Sequence, residues 1–512
     1  TGSIETAGDE AHGIWNDGNE NRTTVSGSIK TTGDEAFGIL NNSVGENGDF
    51  LSSDRNETTV SGSIETAGAG AYGIYNYGDE NKTTVSDTGS IETVENDANG
   101  IYNLGDGNAT TVSGSIATGG NGAVGIFNLG SGNITTVSGT GSIETEGKEA
   151  HGVLISGSKN TTTLLSSIET AGDSASGIWN QGYENITTVS GSITTGDVIA
   201  GTGKSAYGIL NLGDSNETTL SGSITTTGFE AFGIFQDGDG NETTASGSIT
   251  TAGQSAYGIQ NFGDDNETTV SGSIKTAGLS AHGIQNFGTG DGNATNVSGS
   301  IKTAGNFAFG IFNIGDNNAT TVSGSIETAG DRAYGIDNFG DSNVTTVSGS
   351  IETAGRAAYG IQTIGDGNVT TVSGSITTTG KDGDGVINLL GDDNTTTISG
   401  TVSATGTDAS ALINFSGSGS SFTLNEGAVI IGDITALAAA NNNKLMLNLG
   451  QGASYAYSVG GTGKGEGGGQ WTFTDQDGRA RIVTTGGTNC TATGVTVCNL
   501  VTGVSTGNLE VQ

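Results

Sequence analysis

Hydrophobic and polar residues recur along residues 1 to about 415 in one repeated unit, represented by residues 249–274 (ITTAGQSAYGIQNFGDDNETTVSGSI). The isoleucine of its SGSI element returns from Ile4 to a final equivalent at Val402, and nine of the fifteen intervals are 25 residues. A fixed period of this size is typical of stacked repeats, in which each unit buries its apolar face against its neighbours. The pattern therefore predicts a repeat protein.

Each unit contains three short runs rich in Thr, Val, Ile and aromatic residues, for example at 256–261, 268–271 and 273–276. Turn-forming residues separate the runs, and none has the apolar spacing of a helix. Extra residues enter the unit at three places only, the longest at 43–52 and 197–202, as insertions at three corners would. The sequence predicts an all-β, right-handed parallel β-solenoid (β-helix) of about 16 coils, each with about 25 residues and three short strands.

Alternation along the strands assigns side chains to the two faces, because neighbours on a strand point in opposite directions. Positions that keep their residue type are assigned to the interior, and variable ones such as Gln260 to the surface. Tyr257 has the parity of an interior residue but diverse equivalents, so a kink is predicted at Gly258 and the side chain is left unassigned. The residues predicted to point inward are Ile259, Asn261, Thr268, Val270, Ile274 and Thr276.

An asparagine recurs at the interior position represented by Asn261. Amides stacked from coil to coil can hydrogen-bond to one another, which removes the cost of burying them. The unit at 150–168 interrupts this row, and local repacking is expected there. The predicted structural ladder comprises Asn16, Asn41, Asn76, Asn103, Asn128, Asn180, Asn211, Asn261, Asn286, Asn313, Asn338 and Asn388.

A second asparagine begins an N-x-T tripeptide in each of the fifteen complete units, as at Asn21, Asn56, Asn108 and Asn394. Such tripeptides are acceptors for N-glycosylation. Asparagine also suits a turn and threonine the start of a strand, so repetition alone would copy the tripeptide. Both interpretations stay open at this point.

The charge balance limits the classes of binding partner. The chain has 54 Asp and Glu residues and 16 Lys and Arg residues, which gives a net charge of −38. This balance argues against nucleic acid and anionic lipid, because both select basic patches. Low hydrophobicity with high charge is typical of disorder, but a disordered chain does not keep Ile, Ala, Gly and Asn at fixed positions. The absence of proline also suits continuous strand ladders.

Gly-Asp corners, as at Gly263-Asp264 and Gly340-Asp341, would stack carboxylates into an acidic edge. Calcium is the hard cation that such an edge would attract. The corners match neither the nonapeptide of calcium-loaded repeats nor an EF-hand loop, so diffuse counterions are the alternative. No other cofactor is predicted.

Hydroxyl groups form the candidate binding row. Thr269 and Ser271 should point outward, and nearly every coil repeats their Thr-x-Ser pattern. Hydroxyls at two fixed spacings suit ice or a polysaccharide, although both residues are also ordinary on the wet face of a strand.

No catalytic residue is predicted. His12, His151 and His282 occupy one equivalent position in different units, where other units have Tyr or Phe. A coil-shaped, pectinase-like enzyme needs unique acids or bases in one place, and this chain offers copies.

The period dissolves after about residue 415 into stretches such as NKLMLNLG and WTFTD. Residues 416–512 are therefore predicted to form a β-rich cap or junction segment behind the repeat domain at 1–415, because open solenoid ends expose strand edges. Cys490 and Cys498 stand eight residues apart among turn residues and are predicted to form a disulfide, which indicates an oxidising, extracellular location.

The units with AYGIxN and TTVSGSI, followed by NKLMLNLGQGASYAYSV, WTFTDQDGR and TGNLEVQ, resemble an autotransporter passenger domain of a Gram-negative, for example marine, bacterium. The resemblance implies a parallel β-solenoid exported through a C-terminal outer-membrane barrel, which these 512 residues do not include. It also implies display at the cell surface or release, and it supplies no catalytic motif.

The expected function is that of a surface-displayed or secreted structural and adhesive rod that contacts cells, surfaces or glycans at many weak, identical sites. The first alternative is a self-assembling extracellular filament or coat, whose partners are copies of the same chain. An ice- or polysaccharide-binding array and a polysaccharide-degrading enzyme are the remaining alternatives.

Overall fold

The structure is a computed structural model that describes residues 2–44, 50–196, 205–287 and 292–448, together with six short strands between 455 and 511. It divides into two compact units, residues 1–262 and 263–512. The predicted fold class is confirmed: the described residues are all-β without a helix, and three parallel sheets form a right-handed β-solenoid of about 17 turns. Accordingly, the described part of the chain contains no helix long and apolar enough to cross a membrane.

Each turn contributes one strand to sheet 1 (sequence SIxT), sheet 2 (IxNx) and sheet 3 (xTTV), in that order. Within each unit, the repeat strands pair in parallel with the equivalent strands of the next turn, so that equivalent residues lie side by side. Ile91 pairs with Ile116 in sheet 1, and Asn103 pairs with Asn128 in sheet 2. The repeat in the sequence is therefore the register of the sheets.

The first unit contains the following strands. Those of sheet 1 are Ser3–Thr6, Ser28–Thr31, Ser63–Thr66, Ser90–Thr93, Ser115–Thr118, Ser142–Thr145, Ser167–Thr170, Ser192–Thr195, Ser223–Thr226 and Ser248–Thr251. Those of sheet 2 are Ile14–Asp17, Ile39–Val44, Ile74–Tyr77, Ile101–Leu104, Ile126–Leu129, Val153–Ser156, Ile178–Gln181, Ile209–Leu212, Ile234–Asp237 and Ile259–Phe262. Those of sheet 3 are Arg22–Val25, Glu57–Val60, Lys82–Val85, Ala109–Val112, Ile134–Val137, Thr161–Leu164, Ile186–Val189, Glu217–Leu220 and Glu242–Ala245.

The second unit repeats this arrangement. Its sheet 1 strands are Ser273–Thr276, Ser300–Thr303, Ser325–Thr328, Ser350–Thr353, Ser375–Thr378, Thr401–Ala404 and Val429–Ile431. Its sheet 2 strands are Ile284–Phe287, Ile311–Ile314, Ile336–Phe339, Ile361–Ile364, Val386–Leu390, Ser410–Ser418, Asp433–Asn441, Tyr455–Val459 and Gly507–Val511. Its sheet 3 strands are Glu267–Val270, Ala294–Val297, Ala319–Val322, Val344–Val347, Val369–Val372, Thr395–Ile398, Ser421–Asn425, Asn443–Asn448, Gln470–Asp475 and Asn499–Val501.

The interior is a thin column of Ile, Val, Ala, Thr and Asn. Each fully buried Ile or Val contributes about 1.5–3 kcal/mol of transfer free energy, so the repetition builds a long core from small units. The buried threonines of sheet 1 are satisfied locally: Thr118 Oγ1 donates to the carbonyl of Ala123 at 2.6 Å. All six residues predicted to point inward are at most 1% exposed: Ile259, Asn261, Thr268, Val270, Ile274 and Thr276.

Glycine precedes each sheet 2 strand from Ile14–Asp17 to Val386–Leu390, and the predicted bend at Gly258 is one of these positions. These glycines stack on one another and face the isoleucines of sheet 1. A Cβ added at Gly125 would lie 2.6 Å from the carbonyl oxygen of Gly152 and closer still to Ile143 Cγ2. Glycine fits this column because its missing side chain lets successive turns approach, and Ala411 takes the equivalent position after Gly385.

The predicted insertions and the C-terminal segment have different outcomes. The insertion at 43–52 contains an antiparallel pair between Ile39–Val44 and Phe50–Leu51, whereas the one at 197–202 lies outside the described residues. In the C-terminal segment, strands 421–425 and 443–448 still pair in parallel within sheet 3. The later strands 507–511 and 499–501 pair antiparallel with strands 455–459 and 470–475, respectively. The boundary at 415/416 stays a prediction.

The predicted disulfide is not described. Cys490 begins the two-residue strand Cys490–Thr491, which pairs with Arg481–Ile482, and Cys498 lies outside the described residues. The Cys490–Cys498 bond therefore also stays a prediction.

Candidate functional site

The inner asparagine row is a hydrogen-bonded ladder along sheet 2. Asn103 Nδ2 donates to Asn128 Oδ1 at 2.7 Å and to Thr110 Oγ1 in its own turn at 3.0 Å. Eleven of the twelve predicted members are at most 1% exposed, and Asn16 is half-buried. The ladder extends further than predicted, through Asn414 and Asn443 of the second unit. Because its amides are buried and hydrogen-bonded to one another, the asparagine ladder has a structural role.

The ladder is interrupted where the sequence lacks asparagine. Ile155 keeps the strand register but has no amide. As a result, Thr162 Oγ1 and Asn180 Oδ1 are buried without a hydrogen-bond partner among the described residues. Gln236 and Thr363 replace asparagine in the same row elsewhere. The expected repacking at 150–168 is thus a gap in side-chain bonding and leaves the backbone unchanged.

The asparagines of the N-x-T tripeptides lie inside the corner before sheet 3. The backbone N–H of Asn81 donates to Asn108 Oδ1 at 2.8 Å, and Asn108 Nδ2 donates to the carbonyl of Gly105 at 3.0 Å. Asn108 is only 1% exposed. An amide buried and bonded in this way is closed to a glycosyl transferase, so the tripeptides are turn elements in the folded chain.

The acidic edge has a backbone role as well. Asp79 Oδ1 accepts the N–H of Asp106 at 2.8 Å, and Asp106 Oδ1 accepts the N–H of Ser131 at 2.7 Å. Each carboxylate thus pairs with a backbone donor of the neighbouring turn. Among the described residues, no group of three or more His, Cys, Asp or Glu side chains is placed to hold a metal ion. Calcium binding stays a hypothesis without a defined ligand set.

The outer face of sheet 3 carries the predicted hydroxyl row. Thr269 is half-buried and Ser271 is exposed, as expected for outward side chains. In the first unit, the equivalents of Ser271 border a shallow groove of about 470 Å³ at the corner between sheets 3 and 1. Its lining consists only of Gly, Ser and Thr, and Ser221 Oγ donates to Ser190 Oγ at 2.9 Å across successive turns. The groove offers hydroxyl groups to a polar ligand at regular intervals.

The outer face of sheet 2 carries stacked aromatic rings that the sequence analysis did not assign. Ring centroids lie 5.1 Å apart for Phe37 and Tyr72, and 4.8 Å apart for Phe232 and Tyr257. A second row, at the Gln260 position, stacks Tyr75 on Tyr102 at 5.2 Å. Recurrence of Tyr, Phe and His at the Tyr257 position was the signal for this stack.

The three histidines are members of the ring stack, and they accept backbone hydrogen bonds. His151 Nδ1 accepts the N–H of Ser176 at 2.9 Å, and His282 Nδ1 accepts that of Phe309 at 2.9 Å. Burial lowers the pKa of His151 to about 4 and that of His282 to about 3, so both rings are neutral at pH 7. His12 accepts the N–H of Phe37 in the same way. Each histidine therefore binds the backbone of the turn that follows it.

The chain matches no protein-family model and no curated protein.

Proposed function

We propose that this chain is a non-enzymatic, extracellular adhesive protein that uses its solenoid to present one contact many times. The observation that carries this proposal is the outward Thr-x-Ser row of sheet 3. Because the strands pair in register, Thr111, Thr136 and Thr163 follow one another at the strand spacing of about 4.8 Å. Weak contacts linked at fixed spacing combine into high avidity when the ligand repeats as well.

Polysaccharides and glycans of a cell surface are ligands of this kind. Their hydroxyl groups both donate and accept hydrogen bonds, as threonine and serine hydroxyls do. The net charge of −38 disfavours polyanionic partners. The resemblance to autotransporter passengers supports an outer-membrane origin, with the protein displayed or released.

Binding to intact cells and to immobilised neutral polysaccharides tests this function. Replacing outward Thr111, Thr136, Thr163 and Thr188 by Ala removes four successive contacts, and we expect a loss of avidity of about 10²-fold or more. The matched control replaces the outward Glu92, Glu144 and Glu169 of sheet 1 by Ala. Unchanged binding of the threonine variant, or equal loss in the control, would refute the assignment to sheet 3.

A self-assembling filament or coat is the second candidate, and the second unit favours it. There the outer face of sheet 2 exposes Phe287, Phe339 and Phe415, at 39%, 52% and 39%. Exposed apolar side chains in a row are typical of surfaces that associate. If copies of the chain associate side by side, Phe339→Ser should abolish concentration-dependent light scattering and the assemblies seen by electron microscopy. Scattering that is identical in wild type and variant would remove this candidate.

A further inference from the structure

The aromatic stack of the first unit is interrupted at Asn99, Val124 and Ser176, which carry no ring. Of these, Ser176 lies between two turns that do have an aromatic side chain. His151, Ser176 and Tyr207 occupy the same position on three successive turns of sheet 2. Where two successive turns both have a ring at this position, the rings lie against each other, as Phe232 does on Tyr257 at 4.8 Å. Ser176 therefore leaves a space of one strand spacing between two aromatic side chains.

A half-open cavity of about 260 Å³ occupies this place. Trp179 borders it and stands edge-on to His151, with ring centroids 4.6 Å apart and an interplanar angle of 78°. Tyr207 forms the opposite wall, and its ring contacts among the described residues are to Phe232 and Phe235, beyond the cavity. Three aromatic side chains thus surround one opening.

Polar groups ring the mouth of this cavity. Glu149, Ser174 and Ser205 line it from the corner that precedes sheet 2, each with a left-handed backbone at φ of 57°. The Glu149 carboxylate is exposed and forms an ion pair with Lys148, whose Nζ lies 3.0 Å from Glu149 Oε1. The indole N–H of Trp179 is buried, and no described residue accepts a hydrogen bond from it. The cavity therefore combines aromatic walls with polar groups at its rim.

We propose that this cavity binds a single pyranose ring that is uncharged or carries an amino group, as at the end of a glycan chain. The C–H groups on a pyranose face are attracted to the negative faces of aromatic rings. The hydroxyl groups at the edge of the sugar meet Ser174, Ser205 and Glu149. A volume of about 260 Å³ is below the roughly 300 Å³ at which small-molecule pockets begin, so one ring fits and an oligosaccharide does not.

The negative charge of the protein restricts the class of sugar that the cavity can bind. The net charge of −38 repels uronic and other acidic sugars. At the rim itself, an amino group on the sugar would compete with Lys148 for the Glu149 carboxylate. The cavity lies on sheet 2 and the hydroxyl row on sheet 3. The cavity is a single site, whereas the hydroxyl row is repeated along the sheet. This inference therefore does not depend on the proposed function.

Fluorescence of Trp179 provides the test. The full chain with Trp15→Phe and Trp471→Phe has Trp179 as its single tryptophan. It is titrated with methyl β-glucopyranoside, its 2-amino-2-deoxy analogue, methyl glucuronide and benzyl alcohol. We expect saturation by the first two with dissociation constants on the order of 1 mM, and at least about tenfold weaker binding of the glucuronide.

Two variants assign the binding to the cavity. Ser176→Phe places a ring where other turns already have one, so it should fold and should abolish saturation. Val124→Phe makes the same change at the equivalent position of another turn and should bind as the parent does. Glu149→Gln should reduce the preference for the amino sugar by about tenfold or less.

Three outcomes would overturn the proposal. The first is unchanged binding by Ser176→Phe, with its fold checked by thermal unfolding. The second is saturation by benzyl alcohol with neither of the two expected glycosides, which would make the cavity a site for aromatic groups. The third is the absence of saturation with every glycoside.

Discussion

A regular stretch of the first unit, residues 100–137, and an interrupted stretch, residues 150–189, have the same backbone but different side-chain rows. In the regular stretch, Asn128 continues the inner ladder, and Tyr102 stacks on Phe127 in the outer row of the Gln260 position. In the interrupted stretch, Ile155 breaks the ladder, and Leu154 follows Phe127 in that outer row, so the ring stack ends there. In the neighbouring row of the Tyr257 position, Ser176 separates the rings of His151 and Tyr207 and leaves a cavity. Strand pairing passes through both stretches without a shift.

The comparison shows that main-chain pairing carries the architecture and that the side-chain rows are separate additions. In a stacked repeat, each turn interacts chiefly with its neighbours, so a local defect stays local. An inner defect costs hydrogen bonds, whereas an outer defect opens a cavity to solvent. Variation in the outer row can therefore create a site without endangering the fold.

The glycine column should tolerate the least change. Gly125→Ala places a Cβ 2.6 Å from the carbonyl oxygen of Gly152, and we expect a loss of about 3–5 kcal/mol in the opening free energy of strands 101–129. Amide hydrogen exchange measures this quantity turn by turn. Gly132→Ala is the control: it has open space but φ of 69°, so it should cost about 1–2 kcal/mol. Equal losses would show that close stacking of the turns is not the constraint.

Asn103→Ile should reproduce the interrupted stretch inside the regular one. It deprives Thr110 Oγ1 and Asn128 Oδ1 of their donor, and we expect an opening free energy lower by about 3 kcal/mol. Ile155→Asn is the converse change. It supplies hydrogen-bond partners for Thr162 and Asn180, which offsets the lost apolar burial. The opening free energy measured by hydrogen exchange should therefore change by less than about 1 kcal/mol. A loss below about 0.5 kcal/mol in Asn103→Ile would show that the ladder adds little.

His151 makes the interrupted stretch sensitive to pH. Its pKa is lowered to about 4 by burial, against about 6.5 in an unfolded chain. Its stabilising contribution is therefore complete above pH 6.5 and is lost as the pH falls towards 4, by about 2 kcal/mol at pH 5. The protected amide of Ser176, which donates to His151 Nδ1, reports this change by hydrogen exchange.

His151→Asn is the matched variant for this effect. Asn99 already accepts the N–H of Val124 at 2.7 Å from the equivalent position, so the variant should keep the bond and lose the pH dependence. If the variant keeps the wild-type pH dependence of hydrogen exchange between pH 7 and pH 5, a group other than His151 is responsible for it.

The sequence was sufficient to assign the interior rows of the solenoid. Alternation placed Ile274, Thr276 and Asn261 inside because most units have the same residue at the equivalent position. It was insufficient at Tyr257, because the bend at Gly258 turns a residue of interior parity to the outer face, where rings stack. The cavity at Ser176 was equally hidden, since a small residue becomes informative only when its neighbours are known to be rings.

The smallest effect on stability should come from the outward hydroxyl row. The test compares substitutions on the inner and outer faces of a single strand. Thr135 is buried and accepts from Asn128 Nδ2 at 2.9 Å, whereas Thr136 is half-exposed on the outer face. Thr135→Val leaves the Asn128 amide unpaired, because Ile155 offers it nothing on the next turn, and should cost about 1–2 kcal/mol. Thr136→Val should stay within about 0.5 kcal/mol. If Thr136→Val destabilises as much as Thr135→Val, the outer threonines are structural and the binding role of sheet 3 loses its basis.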